Sequence, residues 1–230
     1  MSSKTILFDV VGTLVSYDSL FTSITTRLGP RLSERNIKPS LLGYTWIEVA
    51  EREYTYLSIS GKYTPFGTVF RALFYRILYM AGVPDPRCFA NEEDLDFIME
   101  GYGNLTLRPG AKECIQRLRS AGFRVLCFTA GDKERVAGYF QGAGEGTDIP
   151  LQHGDLISCD EVGVAKPDPR AYRAVFEQLV SENDGLVPWF AAGHMWDVAA
   201  ARRVGYVSLP WILDRKLGLR SAEYRVQANE

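Results

Sequence analysis

Asp9 closes a short apolar run, Thr5-Ile6-Leu7-Phe8, and is followed by Gly12, Thr13 and Leu14. A carboxylate delivered at the end of such a run can attack an electrophilic carbon or phosphorus, forming an ester that water then hydrolyses. Gly12 lets the chain turn tightly behind the carboxylate, where a Cβ would clash. Thr13 can lend its hydroxyl to the carboxylate or to what it attacks. Three further groups suit the same chemistry. Thr129 follows the apolar run Val125-Leu126-Cys127-Phe128 and offers another hydroxyl. Lys166, in Lys166-Pro167-Asp168, is a cation able to keep Asp9 ionised; at about 4 Å and an effective dielectric near 20 such a pair is worth roughly 4 kcal/mol before desolvation. His194 and Asp197 follow a fourth run, Trp189-Phe190-Ala191-Ala192. The histidine can donate to a substrate carboxylate or polarise water, and Asp197 can orient the hydrolytic water or support Lys166. Each residue alone also has an ordinary structural role, as a helix cap, a turn residue or a surface lysine. The case for chemistry lies in their joint placement.

That placement depends on the elements around them. Thr5–Asp9 reads as a buried strand. Residues 16–35 have apolar positions at Leu20, Ile24 and Leu28 and predict a helix interrupted or ended by Gly29-Pro30. Leu41 to Ile59 predicts a second helix, a third begins at Thr64-Pro65 and runs to Met80, and a short one lies between Asp85 and Gly101. From Leu107 the texture changes to α/β. Helices are expected over 109–121, 133–140, 169–180 and 198–204, and strands over 124–128, 156–158, 189–192 and 206–209. Alternation of this kind predicts a parallel sheet wound with helices on both faces. In such sheets chemistry sits beyond the carboxyl ends of the strands, where Asp9, Thr129 and the segment from Gly193 to Asp197 all fall.

With 230 residues, 46% hydrophobic and 23% charged, the chain has enough apolar content for a sizeable core. A formal net charge of −2 argues against a nucleic-acid partner. No run of about 18 apolar residues predicts a membrane span. The start of the chain leaves no room for a signal peptide before the first strand, so a cytoplasmic location is expected. Cys88, Cys114, Cys127 and Cys159 lack metal-ligand spacing and read as reduced packing residues. His153 reads as a surface residue.

Together, Asp9-x-x-Gly-Thr13-Leu, Thr129, Gly163-Val-Ala-Lys166-Pro-Asp-Pro and Trp196-Asp197 resemble the haloacid dehalogenase superfamily. The closer likeness is to its L-2-haloacid dehalogenase (type II) branch, carried by Glu53-Tyr54-Thr55-Tyr56-Leu57, Gly61-Lys62-Tyr63-x-x-Phe66 and Tyr172, six residues after Lys166. The resemblance implies an α/β, Rossmann-like core with a parallel sheet, formed by 1–15 and 102–230, and an inserted helical cap over 16–101. It implies a homodimer acting on a small molecule, with Asp9 as nucleophile and Lys166, Asp197, Thr13, Thr129 and His194 as its catalytic company. It implies substrate contacts from Val11, Trp46, Glu48, Phe66, Ala130, Tyr172 and Trp196. The remaining cap aromatics, Tyr63, Phe70, Phe74 and Tyr75, read as core at helical spacing. Other Arg and Lys residues, Arg202-Arg203 among them, read as solvated faces.

Several positions depart from the pattern. Superfamily phosphatases carry a second Asp two residues after the nucleophile, where this chain has Val11; a valine cannot protonate a leaving group. No metal or other cofactor is expected, with magnesium reserved for a phosphatase-like alternative. The dehalogenases carry an arginine for halide and carboxylate five residues before the Glu-Tyr-Thr segment, where this chain has Glu48. Thr129-Ala130 replaces a Ser-Asn pair, Ala192 replaces a serine, His194 stands where an Asn is usual, and Val11 replaces an aromatic. The expectation is a dehalogenase-type hydrolase whose substrate is not a simple 2-haloalkanoate, with Glu48 as acid, base or binder. A non-catalytic binding protein on the same scaffold is the contrasting reading.

Overall fold

The computed structural model describes residues 4–141, 151 and 154–210; His153 lies outside them. In chain order the elements are β1 (Thr5–Asp9), β2 (Val15–Ser16), α1 (Asp18–Ser33), α2 (Pro39–Ile59), α3 (Phe66–Ala72), α4 (Phe74–Met80), α5 (Pro86–Phe89), α6 (Glu92–Gly103), β3 (Thr106–Leu107), α7 (Ala111–Ser120), β4 (Arg124–Thr129), α8 (Lys133–Gly138), β5 (Leu156–Ser158), α9 (Cys159–Val162), α10 (Pro169–Glu182), β6 (Trp189–Ala192), α11 (Met195–Val204) and β7 (Val207–Pro210).

Among the described residues the main sheet runs β5-β4-β1-β6-β7, with every neighbouring pair parallel. A strand covered on both faces has to be apolar throughout, and every residue of β1 is buried. Ile6 and Phe8 point into one core, shared with α7 and the helices α1 to α6; Leu7 points into the other, built from α10, α11 and the far sheet face. Strand alternation therefore sends β1 into two cores and leaves Asp9 at the carboxyl end of the central strand. The sheet order confirms the expected doubly covered parallel α/β core.

The helices α1 to α6 all lie between β2 and β3, two short strands that pair antiparallel and form a neck where the chain leaves and re-enters the α/β part. Sequence periodicity does not reveal two-residue strands. The final helix of this block reaches Gly103, two residues past the expected boundary.

Three helical expectations are corrected. Gly29-Pro30 does not end α1, which continues to Ser33. Proline removes one helical hydrogen bond, but Leu28, Gly29 and Leu32 are buried there, and Arg27 and Arg31 clamp Asp94 of α6 at 2.6 and 3.0 Å. The expected single helix from Thr64 to Met80 is two, broken at Leu73. The Trp46 indole donates to the carbonyl of Phe70 at 2.7 Å, taking an acceptor that a continuous helix would use for Phe74. Finally, α11 begins at Met195 rather than Val198, so Asp197 lies in its first turn, where a carboxylate is favoured by the helix dipole. Among the described residues no helix is long and apolar enough to cross a membrane.

Candidate active site

The loop after β1 is wound around one carbonyl. Val10 O accepts the amides of Thr13, Leu14 and Val15 at 3.2, 2.8 and 3.0 Å. Gly12 makes this turn with φ +86°, and a Cβ there would come 2.7 Å from Cε1 of His194. The turn brings Thr13 back onto the strand end. Its hydroxyl donates to Oδ2 of Asp9 at 2.5 Å and accepts the Gly193 amide at 2.8 Å.

Lys166 reaches the same carboxylate from the loop before α10. Its Nζ donates to Asp9 Oδ1 at 2.9 Å, to Phe128 O at 3.0 Å and to Asp197 Oδ2 at 3.1 Å. An ammonium has three donors, and all three are used. The Phe128 ring adds a cation–π contact, with its centroid 4.6 Å from Nζ. Burial works against the charge of Lys166, but Asp197 and Asp9 outweigh it and raise its pKa. Burial also raises the Asp197 carboxyl, opposed by Lys166. The Tyr172 hydroxyl donates to the other oxygen of Asp197, so that carboxylate is satisfied on both sides.

Asp9 and Lys166 form part of the wall of a cavity of about 280 Å³ between the α/β core and the helical block. The structure places Val11, Glu48, Phe66, Thr129, Ala130, His194 and Trp196 in the same wall. His194 stacks on Trp196, with ring centroids 5.3 Å apart. Thr129 uses its hydroxyl oxygen to accept the Gly131 amide at 3.0 Å.

Four expected site residues lie outside the cavity wall. Trp46 is buried within the helical block, stacked on Phe70 at 4.0 Å, and does not reach the cavity. Tyr172 is wholly buried behind Asp197 and does not touch a substrate. Asp197 itself is 0% exposed and outside the cavity wall, so of its two expected roles the geometry allows support of Lys166 and not direct contact with water. Thr13 is likewise fully covered; its hydroxyl serves Asp9 and not the substrate.

Sequence reasoning missed other wall residues. Tyr17, Glu51, Tyr102 and Arg135 all line the cavity; Arg52, one turn from Glu48 and the nearest replacement in sequence for a cation there, lines it as well. Glu51 had a legible signal: it is three residues after Glu48, on the same face of α2. Burial raises its carboxyl pKa; His194 draws it back, Glu48 and Asp9 add to the rise, and the result is about 7. The Tyr17 hydroxyl lies 3.4 Å from Glu51 Oε1. Arg135 is not on a solvated face, as expected for the unassigned arginines; it stands over the Tyr102 ring at 4.4 Å and donates to the Tyr139 hydroxyl. Its only signal was its place in the turn after a core strand.

A magnesium site of the phosphatase kind would draw on Asp9, the Val11 carbonyl and Asp197. The position bridging Asp9 and Asp197 is taken by the Lys166 ammonium, and Val11 adds no ligand side chain. Among the described residues no group of three or more His, Cys, Asp and Glu is placed to hold a metal.

A family model for haloacid dehalogenase-like hydrolases matches residues 3–205. The chain belongs to the haloacid dehalogenase-like hydrolase family. Among its haloacid dehalogenase relatives, (S)-2-haloacid dehalogenase 4A of Burkholderia cepacia is 23% identical over 208 residues, covering 89% of this chain and 81% of that protein. (S)-2-haloacid dehalogenase 2 of Pseudomonas sp. (strain CBS-3) is 24% identical over 204 residues, covering 87% and 80%. The structure of L-2-haloacid dehalogenase from Xanthobacter autotrophicus with chloropropionic acid covalently bound matches with a TM-score of 0.71 at 19% identity, covering 98% of this chain and 88% of that one. The haloacid dehalogenase-like fold expected from the motifs is thereby shown.

Proposed function

We propose that this hydrolase uses Asp9 as a nucleophile in (S)-2-haloacid dehalogenase-type chemistry on a small electrophilic substrate. An Asp9 oxygen attacks an sp³ carbon; the new C–O bond forms as the leaving group departs with its electron pair. Water then adds to the Asp9 acyl carbon, the acyl C–O bond breaks, and the former Asp9 oxygen leaves as the product hydroxyl. The observation that carries this reading is the Lys166 ammonium at 2.9 Å from a nearly buried carboxylate at the floor of a cavity. Lys166 and Thr13 hold one oxygen each, fixing the carboxylate for attack. The reading needs no metal or other cofactor.

The helical segment between β2 and β3, expected over 16–101, serves as the cap over the described residues of the α/β core. Thr55 of α2 donates to the Lys166 carbonyl at 3.1 Å, and Tyr63 donates to Asp160 at 2.6 Å, so two contacts support a cap seated directly over the lysine. Four free thiols suit a cytoplasmic location. The exposed apolar residues Leu41, Tyr44, Tyr56 and Ile59 of α2 support a homodimer.

Glu48 in the cavity wall repels a departing halide, so the substrate is not a simple 2-haloalkanoate. Glu51, which holds a proton near neutrality, takes the acid role first considered for Glu48. Single-turnover reaction in ¹⁸O-water with a panel of 2-haloacids and activated carboxylates tests the nucleophile: the Asp9 peptide gains one ¹⁸O. Label that never enters Asp9 during turnover overturns the reading, and robust chloride release from L-2-chloropropionate overturns the substrate restriction.

A further inference from the structure

Arg135 has a geometry that its structural contacts do not explain. It sits on α8, just past the carboxyl end of β4, and lines the cavity that holds Asp9. One terminal nitrogen, Nη1, donates to the Tyr139 hydroxyl, which in turn donates to Tyr102 O at 2.8 Å. The guanidinium face rests on the Tyr102 ring. The other terminal nitrogen, Nη2, is buried and has no hydrogen-bond partner. A buried charged donor left unsatisfied is costly, and a ligand in the cavity removes that cost.

Gly131 supplies a second, independent observation. A Cβ at this position would lie 2.3 Å from Nη2 of Arg135. Gly131 has no positive φ to account for it; what it provides is space for the guanidinium against the cavity wall. Strand end, glycine and arginine thus form one built feature of the wall that also holds Thr129 and Ala130, with Nη2 packed against Gly131.

We infer that Arg135 binds the carboxylate of the substrate, on the core side of the cavity, in place of a cation on the cap helix where Glu48 now stands. This rests on the reading of Asp9 as nucleophile. A singly charged carboxylate suits the site better than a phosphate dianion: one guanidinium nitrogen is free, and Asp9, Glu48 and Glu51 share the same cavity. Arg135 occupies the wall of the α/β core, while α2 presents Glu48 and Glu51 beside Arg52, so the substrate lies with its carboxylate toward β4 and its far end toward the helices.

The test is titration calorimetry of the full chain with D-lactate as a minimal 2-hydroxycarboxylate probe, with the neutral D-lactamide, and with inorganic phosphate. D-lactate binds at least tenfold more tightly than D-lactamide and than phosphate. Arg135→Met lowers D-lactate affinity tenfold or more and leaves D-lactamide unchanged. Gly131→Ala, which keeps every charge and meets first the end of the Arg135 side chain and then Val136 Cγ2 at 3.1 Å, lowers D-lactate affinity while the melting temperature stays within 3 °C or so. Because Arg135→Met removes packing on Tyr102, the Arg135 guanidinium NMR signal of the parent is followed in parallel; it shifts on adding D-lactate. No carboxylate binding, tighter phosphate binding, or D-lactate binding that ignores both substitutions and leaves that signal still overturns the inference. Asp9 labelling without Arg135 dependence sinks this inference alone, and Arg135-dependent binding without Asp9 labelling sinks the nucleophile alone.

Discussion

Asp197 holds Lys166 from behind: its Oδ2 lies 3.1 Å from the ammonium, on the side away from the cavity, and the carboxylate is wholly buried. Without it Lys166 stays paired with Asp9 but loses one of its three acceptors, and the buried Tyr172 hydroxyl loses its own, at a cost of about 1–3 kcal/mol. Asp197→Ala therefore destabilises the protein by that amount in urea unfolding, although Asp197 never meets the substrate. A loss below about 1 kcal/mol rejects the supporting role.

Asp9→Asn separates an enzyme from a binding protein on the same scaffold. Asparagine keeps the shape and can accept only one of the two hydrogen bonds that Asp9 accepts, and it is not a nucleophile, so turnover falls by roughly a thousandfold or more. D-lactate affinity holds or improves, because a negative charge leaves the cavity. Turnover that survives the substitution removes Asp9 from the mechanism.

Gly12 answers to two demands, its φ of +86° and its contact with His194. Gly12→Ala costs about 1–2 kcal/mol for the backbone alone, with a further loss from the 2.7 Å approach to the imidazole. In the double variant with His194→Ala the steric part returns and the backbone part does not. Thermal unfolding of both variants measures the split; equal losses show that His194 yields freely.

Glu51 sets a pH dependence whose sign is opposite to that of an ion-paired carboxylate. Its folded pKa of about 7 lies above the ordinary 4.5, so between these values the folded state holds a proton that the unfolded state has released. Stability contributed by the neutral acid is therefore complete below 4.5 and lost as pH rises through 7, by up to about 3 kcal/mol. Glu51→Gln removes the loss: it matches the parent at pH 4 and exceeds it at pH 8. Identical pH profiles for the two proteins contradict the shift. His194, Glu48, Asp9 and Tyr17 surround this group, and substituting His194 raises its pKa further.

Much of the architecture was legible because it depends on local signals. The apolar run into Asp9 read as a buried strand, and the sheet order makes it the central one. The switch from helical to alternating texture near Leu107 marked the two parts of the chain. The helix details that went astray, at Pro30 and Leu73 and at the start of α11, are places where tertiary contacts override local preference: the Asp94 clamp and the Trp46 indole account for the first two.

Residue type and order by themselves pointed to Asp9 and Lys166 and to the family, because a strand end is set by periodicity and a motif by spacing. Only the tertiary structure decided which side chains share the cavity. Tyr172 and Asp197 carry the right chemistry but lie behind Lys166, whereas Arg135 and Glu51 were unmarked and face Asp9 across open space. The physical reason is that a side chain's electrostatic role depends on burial and on partners remote in sequence, as 157 positions separate Asp9 from Lys166, and no local pattern encodes either.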